Sequence, residues 1–171
     1  MSDNSVKVIF LDVDGVLNCI SSKSRCGCYI GIDDKRVARL RQIVEATGAI
    51  IILSSTWKHD WEPIHKDWQN EFGNYLDRKL KRQRLVAKGK TYEENSMHRG
   101  VGIIHWLTTH DVASFIILDD EWFDFKETGL ESRVIKTDFD NPDGGLTEAD
   151  VHRAIALLNG EECGETTEII E

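Results

Sequence analysis

"VIFLDVDGVLN", residues 8–18, is an apolar run broken by Asp12, Val13, Asp14 and Gly15. An apolar run closed by a glycine predicts a strand buried on both faces, so the two carboxylates at its end call for something that stabilises negative charge. The same grammar returns downstream. "AIIILSS" (49–55) reads as a second buried strand, "RLVAKGKT" (84–91) holds a short third, "SFIILDD" (114–120) is a fourth that stays apolar until it ends in carboxylates, and "RVIKTD" (133–138) supplies a fifth.

Helical patterns separate these runs. Asp33 is placed to cap a helix whose Val37, Leu40, Ile43 and Val44 share a face, and Gly48 ends it. Arg99 and Gly100 open a helix predicted to turn Val101, Ile104 and Leu107 inward. Thr147 with Asp150 three residues on predicts a capping box for the last helix, where Val151, Ile155 and Leu158 repeat. Trp57, Trp61, Trp68 and Phe72 lie near helical spacing, with Pro63 at a helix start or between pieces.

Strands alternating with helices imply an α/β fold, a three-layer Rossmann-like parallel sheet with helices on both faces, because parallel neighbours need crossovers. Ligands of such sheets bind outside the carboxyl ends of the strands. Asp12 and Asp14, Ser54 and Ser55, and Asp119 and Asp120 all stand at predicted strand ends and are expected to share one crevice. Four clustered carboxylates raise one another's pKa unless a cation sits among them, and an oxygen-only donor set favours Mg2+. That reading requires the side chains of Asp12 and Asp120 to lie within about 10 Å of each other.

Length and charge set the frame. The 171 residues fit one domain over 1–160, with a short flap loop at 19–32, an insertion with a basic segment at 58–98, and an acidic tail at 161–171 expected to be flexible. No apolar stretch approaches the ~20 residues of a membrane span, and the polar MSDNSVK before the first strand leads us to expect no secretory signal. With four cysteines in a chain able to fold without staples, a reducing, cytoplasmic compartment is expected. The net charge of −9 argues against nonspecific polyanion binding, although residues 78–90, RKLKRQRLVAKGK, carry seven basic residues and no acidic one.

Four places, DVDGV at 12–16, Ser54 after a hydrophobic strand, a basic residue opening the helix before the fourth strand, and the pair Asp119–Asp120, resemble the haloacid dehalogenase-like (HAD) hydrolases. "LDVDGVLN", "ILSSTWK", "RGVGIIHWL", "IILDDE" and "GGLT" together resemble the capless branch found as a phosphatase module in RNA-repair proteins, akin to polynucleotide-kinase 3'-phosphatases. The resemblance implies a magnesium-dependent phosphomonoesterase without a large cap domain, since only about 14 residues separate the first motif from the next helix. It implies that Asp12 attacks phosphorus to give an aspartyl-phosphate, and that Asp14 protonates the leaving group and then activates water. The metal is implied to take Asp12, the backbone carbonyl of Asp14 and Asp120, with Asp119 and Asp124 acting through water or hydrogen bonds. Ser54 is implied to donate to a phosphoryl oxygen, and Arg99 to neutralise the phosphoryl group, with Lys90 and Lys88 as competitors for that task.

For each feature there is a plainer alternative. A strand-end DxD can be a turn-capping pair, the serines ordinary strand-end residues, and Arg99 a surface residue at a helix start. Cys26 and Cys28 with Cys19 lack an evident fourth zinc ligand and read as loop thiols, and His98 and His105 have no metal spacing. Ser55, Lys58, Lys23, Arg25 and Lys90 are candidates for holding the rest of a substrate. The open crevice and the Trp-flanked basic run suit a nucleotide or a single-stranded nucleic-acid end, against the alternative that the tryptophans are core and the basic run a solvated helix face. A non-catalytic phospho-ligand or nucleic-acid-binding module, a phosphotransferase and a small-molecule phosphatase are the rival functions.

Overall fold

Alternate side chains of the central strand feed two separate cores, as the apolar run at 8–11 requires. The computed structural model describes residues 4–161, so all of the predicted tail but Glu161 lies outside the described residues. Along the chain lie β1 (Val6–Leu11), a hairpin of β2 (Arg25–Cys26) and β3 (Tyr29–Ile30), α1 (Asp34–Thr47), β4 (Ile50–Leu53), α2 (Glu71–Arg82), β5 (Ala87–Lys90), α3 (Arg99–Thr108), β6 (Val112–Asp119), β7 (Val134–Lys136) and α4 (Glu148–Leu158). The main sheet has the order β5-β4-β1-β6-β7, and every pairing in it is parallel.

Ile9 and Leu11 join Ile51, Leu53, Ile116 and Leu118 beneath α1, α2 and α4, while Val8, Phe10, Ile52 and Ile117 pack with Ile103 of α3. The chain steps outward from β1 to β4 and β5, then returns to the other side of β1 for β6 and β7. That reversal, with right-handed crossovers, puts α3 alone on the second face and makes the ends of β1, β4 and β6 the switch point. Each fully buried Val, Leu or Ile contributes roughly 1.5–3 kcal/mol, so a strand buried on both faces is strongly held.

The helix ends follow the sequence with one variation. Gly48 closes α1 in the left-handed region, at φ 71°, and donates its N–H to the Val44 carbonyl. Asp33 occupies the N-cap position of α1, but its carboxylate is taken by Ser22 and Arg36 and does not cap the helix. Thr147 and Asp150 form the full capping box of α4.

One expectation is corrected. Val101 and Ile104 of α3 face outward and Ile103 and Trp106 face the sheet, because two close approaches fix the helix's rotation. A Cβ at Gly100 would lie 2.4 Å from Thr128 Oγ1, and one at Gly102 would lie 2.3 Å from Glu93 Oε2. Residues 57–72 fall into pieces, the second of the two places open to Pro63: short 3₁₀ turns at Thr56–His59 and Lys66–Trp68 precede α2, and exposed Pro63 lies between them. Trp57 and Trp61 are buried there, whereas Trp68 is exposed and stacks on His65 at 4.2 Å.

The flap at 19–32 is the β2–β3 hairpin, tied down where Ile32 N donates to the Tyr75 hydroxyl at 3.0 Å. The basic run divides between the end of α2 and β5, and Lys79 and Arg82 reach Asp34 of α1 at 3.0 and 3.4 Å. Among the described residues no helix is long and apolar enough to cross a membrane.

Candidate active site

Parallel pairing sets the register of the site before any side chain is considered. Leu11 lies opposite Leu53 and Leu118, and the ladder runs one step further, with Asp12 N donating to Leu118 O at 2.9 Å and Ser54 N to Leu11 O at 3.0 Å. Asp12, Ser54 and Asp119 therefore leave the sheet in one row. Oxygens of Asp12, Asp119 and Asp120 all lie within 4.8 Å of one another, well inside the separation that the sequence reading required.

Gly15 makes this cluster possible. Its φ of 79° lies in the left-handed region, and a Cβ there would stand 2.2 Å from Asp120 Cγ. The turn thus bends the chain after Asp12 and lets Asp120 close against bare backbone. Its carbonyl accepts from Thr137 Oγ1 at 2.6 Å and its N–H donates to Asn18 Oδ1 at 2.8 Å. Gly15→Ala is expected to cost about 1–2 kcal/mol in backbone strain alone and to push Asp120 out of the cluster. Thermal denaturation checks the stability loss, and a variant that keeps the wild-type midpoint would contradict it.

One guanidinium serves the cluster. Arg99 Nη1 lies 2.6 Å from Asp119 Oδ2 and 3.2 Å from Asp12 Oδ1, and the guanidinium sits over the Phe123 ring at 4.1 Å. Phe123 has a φ of 42°, a strained value for a bulky residue costing about 1–3 kcal/mol, and its ring face supports Arg99 there. Burial works against the charge of Arg99, but Asp12 and Asp119 outweigh it and raise its pKa.

Three carboxylates facing one cation are under-neutralised. Burial and the Asp12 charge push Asp119 up to about 8 despite Arg99, and the same two causes push Asp120 up to about 7. Burial also raises Asp12, against the opposing pull of Arg99 and hydrogen bonds from Ser55 and the Val13 backbone. Ser54 Oγ is buried in the same row with no hydrogen-bond partner among the described residues. A set of hard oxygens that cannot all ionise unaided, beside an unused hydroxyl, fits a divalent cation with a phosphoryl group.

The other sequence candidates fall in distinct places. The Asp14 side chain stands outside the triad, one oxygen accepting from Asn18 Nδ2 and the other from Trp57 Nε1, both at 2.9 Å. Asp124 is not with the triad; it accepts from Gly100 N at 2.6 Å and Val101 N at 3.3 Å, holding the start of the helix that carries Arg99. Ser55 caps the following 3₁₀ turn through Trp57 N and also bonds Asp12. Lys58 is buried, and its ammonium is taken by Glu93 and by Thr91 Oγ1 at 3.1 Å; burial lowers its pKa against the pull of Glu93. Lys90 donates to the carbonyls of Lys58 and Trp61 at 2.9 and 2.7 Å, so it staples the loop after β4. Lys88 is exposed on β5 and Lys23 on the flap, while Arg25 braces the hairpin through Ser22 O at 2.7 Å.

The sequence reading overlooked Asn18 and Trp57 as partners of Asp14. Asn18 lies four residues beyond Asp14 inside the quoted stretch, a spacing at which a turn returns a side chain to the carboxylate. Trp57 Nε1 also brings a ring to the edge of a cleft of about 740 Å³ shared by Asp14, Asp120, Tyr29 and Phe72.

The architecture agrees with a comparison of the sequence with known families. Residues 8–151 match the family described as the HAD domain in Swiss Army Knife RNA repair proteins. The chain belongs to this HAD family. No curated protein and no solved structure matches it. The matched span runs from β1 into α4 and includes the whole main sheet apart from the first residues of β1. In this HAD domain the buried Asp12 and Asp119 and the half-buried Asp120 form an acidic cluster at the carboxyl ends of the central strands, an arrangement compatible with a HAD active site.

Proposed function

We propose that the protein is a magnesium-dependent phosphomonoester hydrolase acting on nucleic-acid 3'-phosphate ends or nucleotides. The observation that carries this reading is the carboxylate triad of buried Asp12 and Asp119, bridged by Arg99, with half-buried Asp120 beside them, a cluster that needs a cation to ionise fully. Membership of an RNA-repair family supports the substrate class.

Asp12, Asp120 and, behind them, Asp119 would hold the divalent cation, which when bound would neutralise charge on the phosphoryl oxygens. Asp120 is the more open of the pair, since both Asp119 oxygens already accept, from Arg99 and from Glu121 N at 3.0 Å. An Asp12 oxygen attacks phosphorus, the bond to the ester oxygen breaks, and Asp14 gives that oxygen a proton. Asp14, now a carboxylate, takes a proton from water; the hydroxide attacks phosphorus, the P–O bond to Asp12 breaks, and inorganic phosphate leaves. Arg99 and the Ser54 hydroxyl hold phosphoryl oxygens, and Asp124 positions Arg99 by anchoring its helix.

Turnover of p-nitrophenyl phosphate with magnesium, and its loss with a chelator, tests the reading. Folded protein inactive in both conditions would favour a non-catalytic phospho-ligand binder. A second measurement follows from the carboxyl shifts. Asp119 and Asp120, raised to about 8 and 7 from 3.8, bind protons in the folded state that the unfolded chain has released. Their contribution to stability is therefore present at low pH and lost as pH rises through 7 and 8. Magnesium binds the ionised form, so it is expected to raise the midpoint more at pH 8 than at pH 5.5. Equal shifts at both values would contradict a metal site built on these groups.

A further inference from the structure

The cleft beside the triad carries more information than phosphate hydrolysis uses. Asp14 and Asp120 line it, so it opens onto the side of the site where the leaving group departs. Tyr29, Trp57, Phe72 and Phe139 supply aromatic surface. The Trp57 and Phe72 rings meet edge to face at 6.0 Å and Phe72 meets Tyr29 at 5.9 Å, which makes one continuous wall from the flap hairpin to α2. Trp57 Nε1 donates to Asp14, so the wall and the acid are held in register.

What the cleft lacks among the described residues is equally specific. Its polar lining is Thr56, His59 and Asp60 besides the two acids, with no lysine or arginine. Lys58 and Lys90 are engaged by Glu93 and by backbone carbonyls, and Lys79 and Arg82 are paired with Asp34. A second phosphate entering here would meet carboxylates, whereas an uncharged flat ring would meet rings and a few hydrogen-bonding groups.

We propose that this cleft is the leaving-group subsite and takes one nucleobase, that of the nucleoside carrying the scissile phosphate, without holding any further phosphate. The proposal rests on the phosphomonoesterase reading and adds its specificity. Tyr29 and Phe72 are the specificity residues, and Thr56, His59 and Asp60 are the groups available to the base edge.

The test compares a nucleoside 3'-monophosphate with glycerol 2-phosphate, an ester without a ring, in the wild type, Tyr29→Ala and Phe72→Ala. Stacking on one aromatic side chain is worth enough that the ratio of kcat/KM between the two esters is expected to fall about tenfold in each variant, through KM. A damaged fold lowers both esters alike, so the ratio is read in variants that keep the wild-type thermal midpoint, and an unchanged ratio there would overturn the proposal. Tyr29 is exposed, so its variant stays folded if Phe72→Ala does not. A nucleoside 3',5'-bisphosphate is expected to bind no more tightly than the monophosphate; tenfold tighter binding would also overturn it. If the wild type hydrolyses neither ester, the hydrolase reading fails separately. Calorimetric titration then decides the subsite: tenfold tighter binding of the nucleotide than of glycerol 2-phosphate, lost in Tyr29→Ala, supports it, and equal binding refutes it.

Discussion

Asp12→Asn is expected to lower phosphomonoester turnover by about 10⁴-fold or more, the scale on which loss of a nucleophile is felt, while leaving the fold intact. The amide matches the carboxylate in shape but its oxygen is too poor a nucleophile to attack phosphorus. Its carbonyl can still accept from Arg99, whose Nη1 lies 3.2 Å from the present oxygen. Electrostatics predicts the sign of the stability change. Asp12 is one of three carboxylates around one guanidinium, and its charge contributes to the raised values of Asp119 and Asp120. Removing it relieves repulsion, so the cation-free midpoint at pH 8 is expected to hold or rise. Kinetics, acid trapping of the phosphorylated protein and a thermal melt check the three statements. Near wild-type turnover in this variant would rule out the covalent route.

The strand ends were legible in the sequence because a buried strand tolerates a carboxylate only where it leaves the sheet, so Asp12 and Asp119 mark the ends of β1 and β6 by themselves. Their common row follows once the pairing is parallel. The rotation of α3 was not legible. Val101, Ile104 and Leu107 make as regular a stripe as Ile103, Trp106 and Leu107, and the choice lies with Gly100 and Gly102, which bring the helix against Thr128 and Glu93. Lys58 and Lys90 looked available to a phosphate because a charge shows no partner in sequence. Their partners, Glu93 for one and two loop carbonyls for the other, lie about 30 residues away along the chain. Trp57 illustrates the same limit: its spacing was that of a core residue, and it is buried, but the indole N–H on Asp14 belongs to the site.

Arg99→Ala is the second large effect, and it divides into two parts that can be measured separately. The guanidinium is buried between Asp12 and Asp119 and stacked on Phe123, so its removal leaves two carboxylates facing each other out of water. Breaking a buried pair in this way costs about 3–5 kcal/mol, which for a chain of this size lowers the midpoint by roughly 10 °C. The loss is expected to be larger at pH 8 than at pH 5.5, because the stranded acids are tolerated only when protonated. Turnover should fall about 10²–10³-fold as the phosphoryl oxygens lose their donor. Arg99→Lys keeps the charge but not the planar guanidinium whose Nη1 reaches both acids and whose flat face meets Phe123, so it is expected to fall between the two. Adding Asp119→Asn to Arg99→Ala removes one stranded charge and should restore most of the midpoint without restoring turnover. Millimolar guanidinium should instead restore turnover in the single variant by refilling the gap between Asp12 and Asp119. Turnover in Arg99→Ala within threefold of the wild type would show that another cation serves the phosphoryl group.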